Sequence, residues 1–312
     1  MRRRAPLLLA VLVFGVAAQP VRAAPAEILQ AVWDGEPPAG AGLAGQMRAD
    51  LAVLTHLPDR VAGTFGEHWA AVYLGHRLPG RRLQRETVLL AAGGTTQNLW
   101  ATFGSGPRQL MLGAHYDTVV GSPGADDNAS GVTVLLALIP MLESGVPAGL
   151  AVTLAFFGAE EFQRDGNGDP ITHHQGSRSR AGSLFDDGRL PDVMISVDMV
   201  GVGDEVLAVT LGAASNEAAR LLTRAGTRAG IRVRRAARGD ISDHGAFAAA
   251  GVAAAMLWRP DNPAYHLPGD DAVSIDNLLQ DVRLLSAAVV LAGDRGVAIP
   301  ASALGRFRQL RK

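Results

Sequence analysis

QLMLGAHYDTVVGSPGADDNASGVTVLLALIPMLESGVPAGLAVTLAFFGAEE, residues 109–161, decides the fold. Its first apolar run, Gln109 to Ala114, and its last, Leu150 to Phe157, are short and unbroken, as strands buried on both faces must be. Between them, Ala129 to Glu143 repeats its apolar residues at helical spacing. The polar residues fall where the runs stop. His115 ends the first strand and Glu160-Glu161 closes the second.

The same alternation continues outward. Glu86 to Ala91 and Asn98 to Phe103 read as a hairpin around Gly93-Gly94, and Val193 to Val197 and Val252 to Trp258 as further buried strands. Glu27 to Trp33, Leu43 to Leu57, Phe65 to Leu78, Asn216 to Gly230, His244 to Ala250 and Ile275 to Leu291 carry helical spacing. Strands alternating with helices predict a three-layer α/β/α sandwich with a mostly parallel, mixed central sheet. Ligands of such sheets gather beyond the carboxyl ends of the strands. His115, the Glu160-Glu161 pair and Asp198, which ends a third strand, obey that rule.

Composition narrows the function. The chain has 312 residues, is 48% hydrophobic and 19% charged, and carries a net charge of -1, so nothing electrostatic recommends a nucleic acid partner. It has no cysteine, which excludes a thiol nucleophile and a thiolate metal site. Met1-Arg2-Arg3-Arg4 followed by the apolar stretch Leu7 to Ala18 and Val21-Arg22-Ala23 reads as a bacterial-type signal peptide. The apolar stretch is too short for a bilayer, which needs about 20 residues. Residues 1–23 are therefore expected to be cleaved, and 24–312 to form one exported, periplasmic or secreted domain without a stable membrane anchor. Cleavage removes four arginines and no acid, leaving a mildly acidic chain. Oligomeric state is not legible.

Five phrases carry the chemistry: GAHYDTV (113–119), PGADDNASG (123–131), FFGAEEF (156–162), ISVDMVG (195–201) and YHLPGDD (265–271). Each has a plainer explanation. His115 and Asp117 suit a surface capping pair, and Asp126-Asp127-Asn128 suits a helix cap. Consecutive glutamates suit a solvated loop, and His266 an exposed turn. Together they offer two imidazoles and three or more carboxylates near strand ends, enough for a pair of borderline cations that activate water. Two adjacent acids in a glycine-bounded turn repel unless a cation joins them. Asp198, at the end of an apolar run, is costly to bury without a partner. Of the two glutamates, one can ligate while its neighbour takes a proton from the activated water. Asp117 can orient a ligating imidazole.

These phrases resemble the M28 metallopeptidases, the two-zinc aminopeptidases, over roughly residues 60–291. The resemblance implies a zinc-dependent exopeptidase fold and two Zn2+ per chain. It makes His115, Asp127, Glu161, Asp198 and His266 the metal ligands. One zinc would take His115 and Asp198, the other Glu161 and His266, and Asp127 would bridge them. Glu160 would be the general base that activates a metal-bridged hydroxide, Asp117 the acid behind His115, and Tyr265 the oxyanion donor. Ser242, in Ser242-Asp243-His244, would support the site. The Asp127–Asn128 peptide bond would be cis. The substrate would be a peptide or dipeptide trimmed from its N-terminus. Three readings stand beside it: a carboxypeptidase or dipeptidase using Arg178, Arg180 or Arg259 for the α-carboxylate, a glutaminyl cyclase, and a non-catalytic binding ectodomain.

One stretch departs from the family pattern. Phe162 to Gln175 is long and polar before Gly176-Ser177. Within it, Asp165 to Asp169 resembles half of a calcium loop but lacks the closing acid, so it reads as a solvated turn. His173 and His174 could invite a third metal but read rather as exposed polar residues in a loop beside the substrate cleft. Arg306 to Lys312 reads as a solvated tail.

Overall fold

The computed structural model describes residues 42–164, 170–213 and 216–294. The expected signal peptide, the Glu27 to Trp33 helix, the 165–169 turn and the basic tail lie outside them. Ten strands form: β1 Leu83–Leu89, β2 Thr95–Gly104, β3 Arg108–His115, β4 Leu150–Phe157, β5 Gln163–Arg164, β6 Pro170–Thr172, β7 Val193–Val197, β8 Val206–Leu211, β9 Val233–Arg238 and β10 Ala253–Trp258. Eight of them make one sheet in the order β1-β2-β4-β3-β7-β10-β8-β9, and β5 pairs with β6 as a small ribbon. The centre, β4-β3-β7-β10, is parallel throughout. Antiparallel pairing in the large sheet is confined to β1 with β2, β2 with β4, and β8 with β10. The expected mostly parallel, mixed sheet is what forms.

Side-chain alternation along the central strands divides the core in two. Leu110, Leu112 and Ala114 of β3, Val152, Leu154 and Phe156 of β4, and Ile195 and Val197 of β7 face one way. They pack on α1 Gly42–His56, α2 Phe65–Arg77, α3 Gly131–Ser144, α5 Glu217–Ala229 and α7 Ile275–Asp294. Met111, Ala155, Phe157 and Met194 face the other way, toward α4 Gln175–Asp186 and α6 His244–Ala249. That is the α/β/α sandwich. Helix ends follow local chemistry. Asn216 caps α5 by accepting from Ala219 N at 3.0 Å, and Gly230, at φ 71, ends it in the left-handed conformation.

Four elements fall outside the sequence reading: α4, β9, the small ribbon, and β8, whose apolar run VLAVTL does carry the mark of a buried strand. The α4 segment QGSRSRAGSLFD is polar on most of its surface, and β9 is an edge strand whose VRRAAR sequence alternates only weakly. Both lack the apolar period that marks buried elements. Among the described residues, no helix is long and apolar enough to cross a membrane.

Candidate metal centre

The four parallel strands end at one rim, and each delivers a polar side chain there. His115 is the last residue of β3, Asp198 directly follows β7, Glu160 and Glu161 lie just past β4, and His266 sits in the loop after β10. Asp127 comes from the widened turn Ala125–Ser130 that leads into α3. His115 Nε2 lies 3.1 Å from Asp127 Oδ1 and 3.5 Å from Asp198 Oδ1. His266 Nε2 lies 3.2 Å from Asp127 Oδ2 and 3.1 Å from Glu161 Oε2. The two oxygens of Asp127 thus face two different imidazoles, one beside Asp198 and the other beside Glu161. All five expected ligands are brought together, and the Asp127–Asn128 peptide bond is cis.

The donor set fits divalent metal. Glu161 Oε1, Asp198 Oδ1 and His266 Nε2 are buried and have no hydrogen-bond partner among the described residues. Buried polar atoms are ordinarily partnered, so donors that crowd one another without hydrogen bonds are placed to share something between them. His115, Asp127 and Glu161 can place one donor each within 4.8 Å of one another, and so can His115, Glu160 and Asp198. Imidazole and carboxylate donors in such number suit zinc.

Surrounding groups fix this arrangement. Asp117, fully buried, lies 3.5 Å from His115 Nδ1 through Oδ1. The same carboxylate accepts from Glu160 N at 3.0 Å and Glu161 N at 3.1 Å, so it holds one ligand and anchors the glutamate turn. Asn128 donates to Val197 O at 2.9 Å and accepts from Gly131 N at 2.9 Å, tying the Asp127 turn to β7. Asp270 accepts from Asp126 N at 3.0 Å and Asp127 N at 3.1 Å. Arg60 is buried and donates to Tyr116 O (2.8 Å), Pro123 O (2.8 Å) and Gly124 O (3.0 Å), clamping both loops that carry His115 and Asp127. Gly124 must be glycine: its φ is 59 and a Cβ would sit 2.3 Å from Asp127 O. Ser242, also buried, shares a hydrogen bond with Ser196 at 2.8 Å, beneath the end of β7.

The backbone is strained at this rim. Among the described residues, the non-glycine positions with positive φ are Ala159, His174, Met199 and His266. Each one is, adjoins or contacts a candidate site residue. Such conformations cost of order 1–3 kcal/mol each and persist where the surroundings enforce them.

Electrostatics reflect crowded acids. Burial pushes the Glu160 carboxyl well above its ordinary range, and Glu161 and Asp198 push it further against the pull of His115. Burial and then Asp127 raise Glu161 to about 8. Burial would raise Asp127 too, but the imidazoles of His115 and His266 hold it well below the usual carboxylate range. A cation would relieve the whole group.

A cavity of about 260 Å³ opens over these residues. Asp127, Glu160 and Asp198 form its floor, with Met199, Ile241, Met256, Trp258 and Tyr265 around it. Tyr265 is half-exposed and stacks on the His266 ring at 3.8 Å. The three arginines that could meet an α-carboxylate differ. Arg259 is buried against Asp281, its Nε 3.1 Å from Oδ2. The Arg180 guanidinium lies 3.8 Å over the Trp100 ring. Arg178 pairs with Asp240 at 3.2 Å.

One reading is corrected. His174 is not an exposed loop residue. Its side chain is 2% exposed, and its Nε2 lies 2.9 Å from Glu160 Oε1. The cause is backbone pairing: His174 N donates to Glu160 O and Gln175 N to Ala159 O, each at 2.7 Å, which returns the polar stretch to the glutamate turn. Arg60 and Asp270 were also missed. A lone arginine between helices carries no sequence signal, whereas Asp270 stood in the quoted YHLPGDD phrase.

A sheet of this order with such a rim defines a class, α/β proteins with a histidine- and carboxylate-lined candidate metal centre beyond the strand ends. The model of Peptidase family M28 matches residues 98–290, and the chain belongs to that family. It is similar to aminopeptidase YwaD of Bacillus subtilis, 31% identical over 195 residues, which cover 59% of this chain and 41% of the relative. Among solved structures it resembles BSAP, a zinc aminopeptidase from Bacillus subtilis, at 30% identity and a TM-score of 0.57, covering 66% of this chain and 52% of that one. An Acidobacteriales bacterium glutaminyl cyclase shares the fold at 22% identity and a TM-score of 0.67, covering 92% of this chain and 100% of that one. The chain thus spans about half the length of these two aminopeptidases.

Proposed function

We propose that this chain is an exported aminopeptidase that uses two zinc ions to remove N-terminal residues from peptides. The observation that carries the reading is Asp127, which turns one oxygen to His115, itself beside Asp198, and the other to His266, itself beside Glu161. Bound there, a zinc pair would supply Lewis acidity, lowering the pKa of a shared water and polarising the scissile carbonyl.

The protein's own groups do the rest. Glu160 takes a proton from the attacking water onto its carboxylate and returns it to the departing amine. Tyr265 donates its phenol proton to the developing oxyanion. Burial, then Asp127 and the neighbouring acids, keep that phenol protonated far into the alkaline range. Asp117 orients His115 through Nδ1. The acidic floor, through Glu160 and Asp198, suits a substrate α-amine. Arg259 and Arg180 are engaged elsewhere, which favours amino-terminal over carboxy-terminal trimming. Two donor sets joined by Asp127 favour hydrolysis over cyclisation. Residues 24–312 are read as one peptidase domain behind a cleaved leader.

The test is one substrate panel, run with and without a chelator: aminoacyl anilides, N-blocked peptides, C-terminally free peptides and a glutaminyl peptide. Chelator-sensitive release of free N-terminal residues alone supports the reading. Equal cleavage of blocked peptides, cyclisation without hydrolysis, or no turnover contradicts it. Mass analysis of the mature protein should find Ala24 at its start; an intact Met1 removes the leader.

A further inference from the structure

We propose that His174, braced by Asp240, positions the carboxylate of Glu160 for proton transfer. The proposal rests on the aminopeptidase reading and adds a residue to it.

The geometry is a chain of side chains running inward from the surface. Arg178 Nη2 donates to Asp240 Oδ2 at 3.2 Å. Asp240 Oδ1 lies 3.2 Å from His174 Nδ1, close enough to buttress the ring though outside hydrogen-bond geometry. His174 Nε2 lies 2.9 Å from Glu160 Oε1. His173 adds a lateral contact, its Nδ1 3.0 Å from His174 Nε2, and is itself stacked on Phe162 at 4.6 Å. Burial rises along the path: Asp240 is exposed, His174 is buried, and Glu160 is buried at the floor of the cavity. A carboxylate that must collect and return a proton needs one fixed orientation. With hydrogen on Nε2, the imidazole donates to Oε1 and supplies it.

Several observations show that the placement is built. His174 adopts φ 54 and ψ 32, a left-handed conformation uncommon outside glycine. Backbone pairing fixes it, because His174 N reaches Glu160 O at 2.7 Å. The next turn is seated tightly: Gly176 packs so close that a Cβ would lie 2.2 Å from Gly158 O. The long polar stretch after Phe162 thus ends by delivering an imidazole to the base.

His173, His174 and Asp240 also have the spacing of a metal trio. The Arg178 guanidinium argues against a third ion. It already occupies Asp240 and approaches His173 Nε2 at 3.4 Å, so a cation would sit beside a fixed positive charge. Burial, then His173 and Arg178, push the His174 imidazole down to about 2, which leaves it a neutral ring beside the Glu160 and Asp240 carboxylates.

The experiment compares wild type, His174→Leu, His174→Gln and Asp240→Asn on an aminoacyl anilide, with zinc per chain measured for each. Leucine should lower kcat about tenfold to a hundredfold, the usual effect of losing such a partner, with KM and zinc content unchanged. Glutamine, which keeps a hydrogen-bonding atom near Nε2, should restore most of the rate. Asp240→Asn, at the surface, should lower kcat by a smaller factor. An undiminished kcat in His174→Leu overturns the proposal, as does a loss that follows zinc or KM. If the leucine variant does not fold, Asp240→Asn decides: a kcat equal to wild type overturns the proposal. Three zinc ions in wild type falling to two in His174→Gln would replace it with a metal site. An active wild type with unaffected variants sinks only the positioning role; an inactive wild type sinks the aminopeptidase reading as well.

Discussion

Asp281 and Asp127 are both buried carboxylates that meet the chain following β10, yet they find opposite kinds of partner there. Asp281 faces the guanidinium of Arg259 through both oxygens, at 3.1 and 3.3 Å, and Arg259 also reaches Gly203 O. The protein supplies its own cation there. Asp127 stands among Glu160, Glu161 and Asp198 with three imidazoles, His115, His174 and His266, for four acids, and several donor atoms have no hydrogen-bond partner among the described residues. A closed pair holds the fold together. An acid-rich cluster that the chain itself leaves uncompensated is fitted for cations from outside.

The sharpest break of this contrast is Glu160→Gln. It removes the proton acceptor without touching a bridging oxygen, so kcat should fall about 10²–10⁴-fold while zinc content stays at the wild-type level. Parallel metal analysis and kinetics check it; retained activity removes Glu160 from its role. Asp281→Ala should act the other way. It leaves a buried guanidinium unpaired, costing about 3–5 kcal/mol of stability as read by denaturant unfolding, with zinc affinity unchanged below the transition. Were zinc lost instead, the two sites would not be independent.

Asp117→Asn sharpens the comparison at the margin of the centre. Losing the acid behind His115 should weaken metal binding about 10–100-fold in a competition titration with a chelator. Proton release is the smallest effect. Burial lowers His266, but Asp127 and Glu161 outweigh it and hold the imidazole up to about 10 in the metal-free protein. Its proton must leave before zinc enters, so binding at neutral pH should expel protons and weaken as the solution is acidified. Calorimetry in buffers of different ionisation enthalpy measures this. A binding heat that does not depend on the buffer would contradict it.

Much of this was legible in the sequence because strong physics wrote it there. Buried parallel strands must be apolar, so β3, β4, β7 and β10 stood out, and an acid or imidazole at the end of such a run is conspicuous. His115, Asp127, Glu161, Asp198 and His266 were readable for that reason. The α4 helix was not, since its polar sequence lacks an apolar stripe of the width that signals burial. His174 was misread because its burial comes from main-chain pairing to Ala159 and Glu160, which no side-chain pattern encodes. Arg60 was invisible for a related cause: its partners are carbonyl oxygens, one from the nearby α1 and three from distant loops.

The most direct measurement is elemental analysis of the purified protein, paired with crystallographic anomalous scattering at the zinc edge. Two ions per chain are expected, both touching the Asp127 carboxylate, one beside His115 and Asp198 and the other beside His266 and Glu161. A metal-free protein, or a lone ion that leaves one oxygen of Asp127 unused, would contradict it.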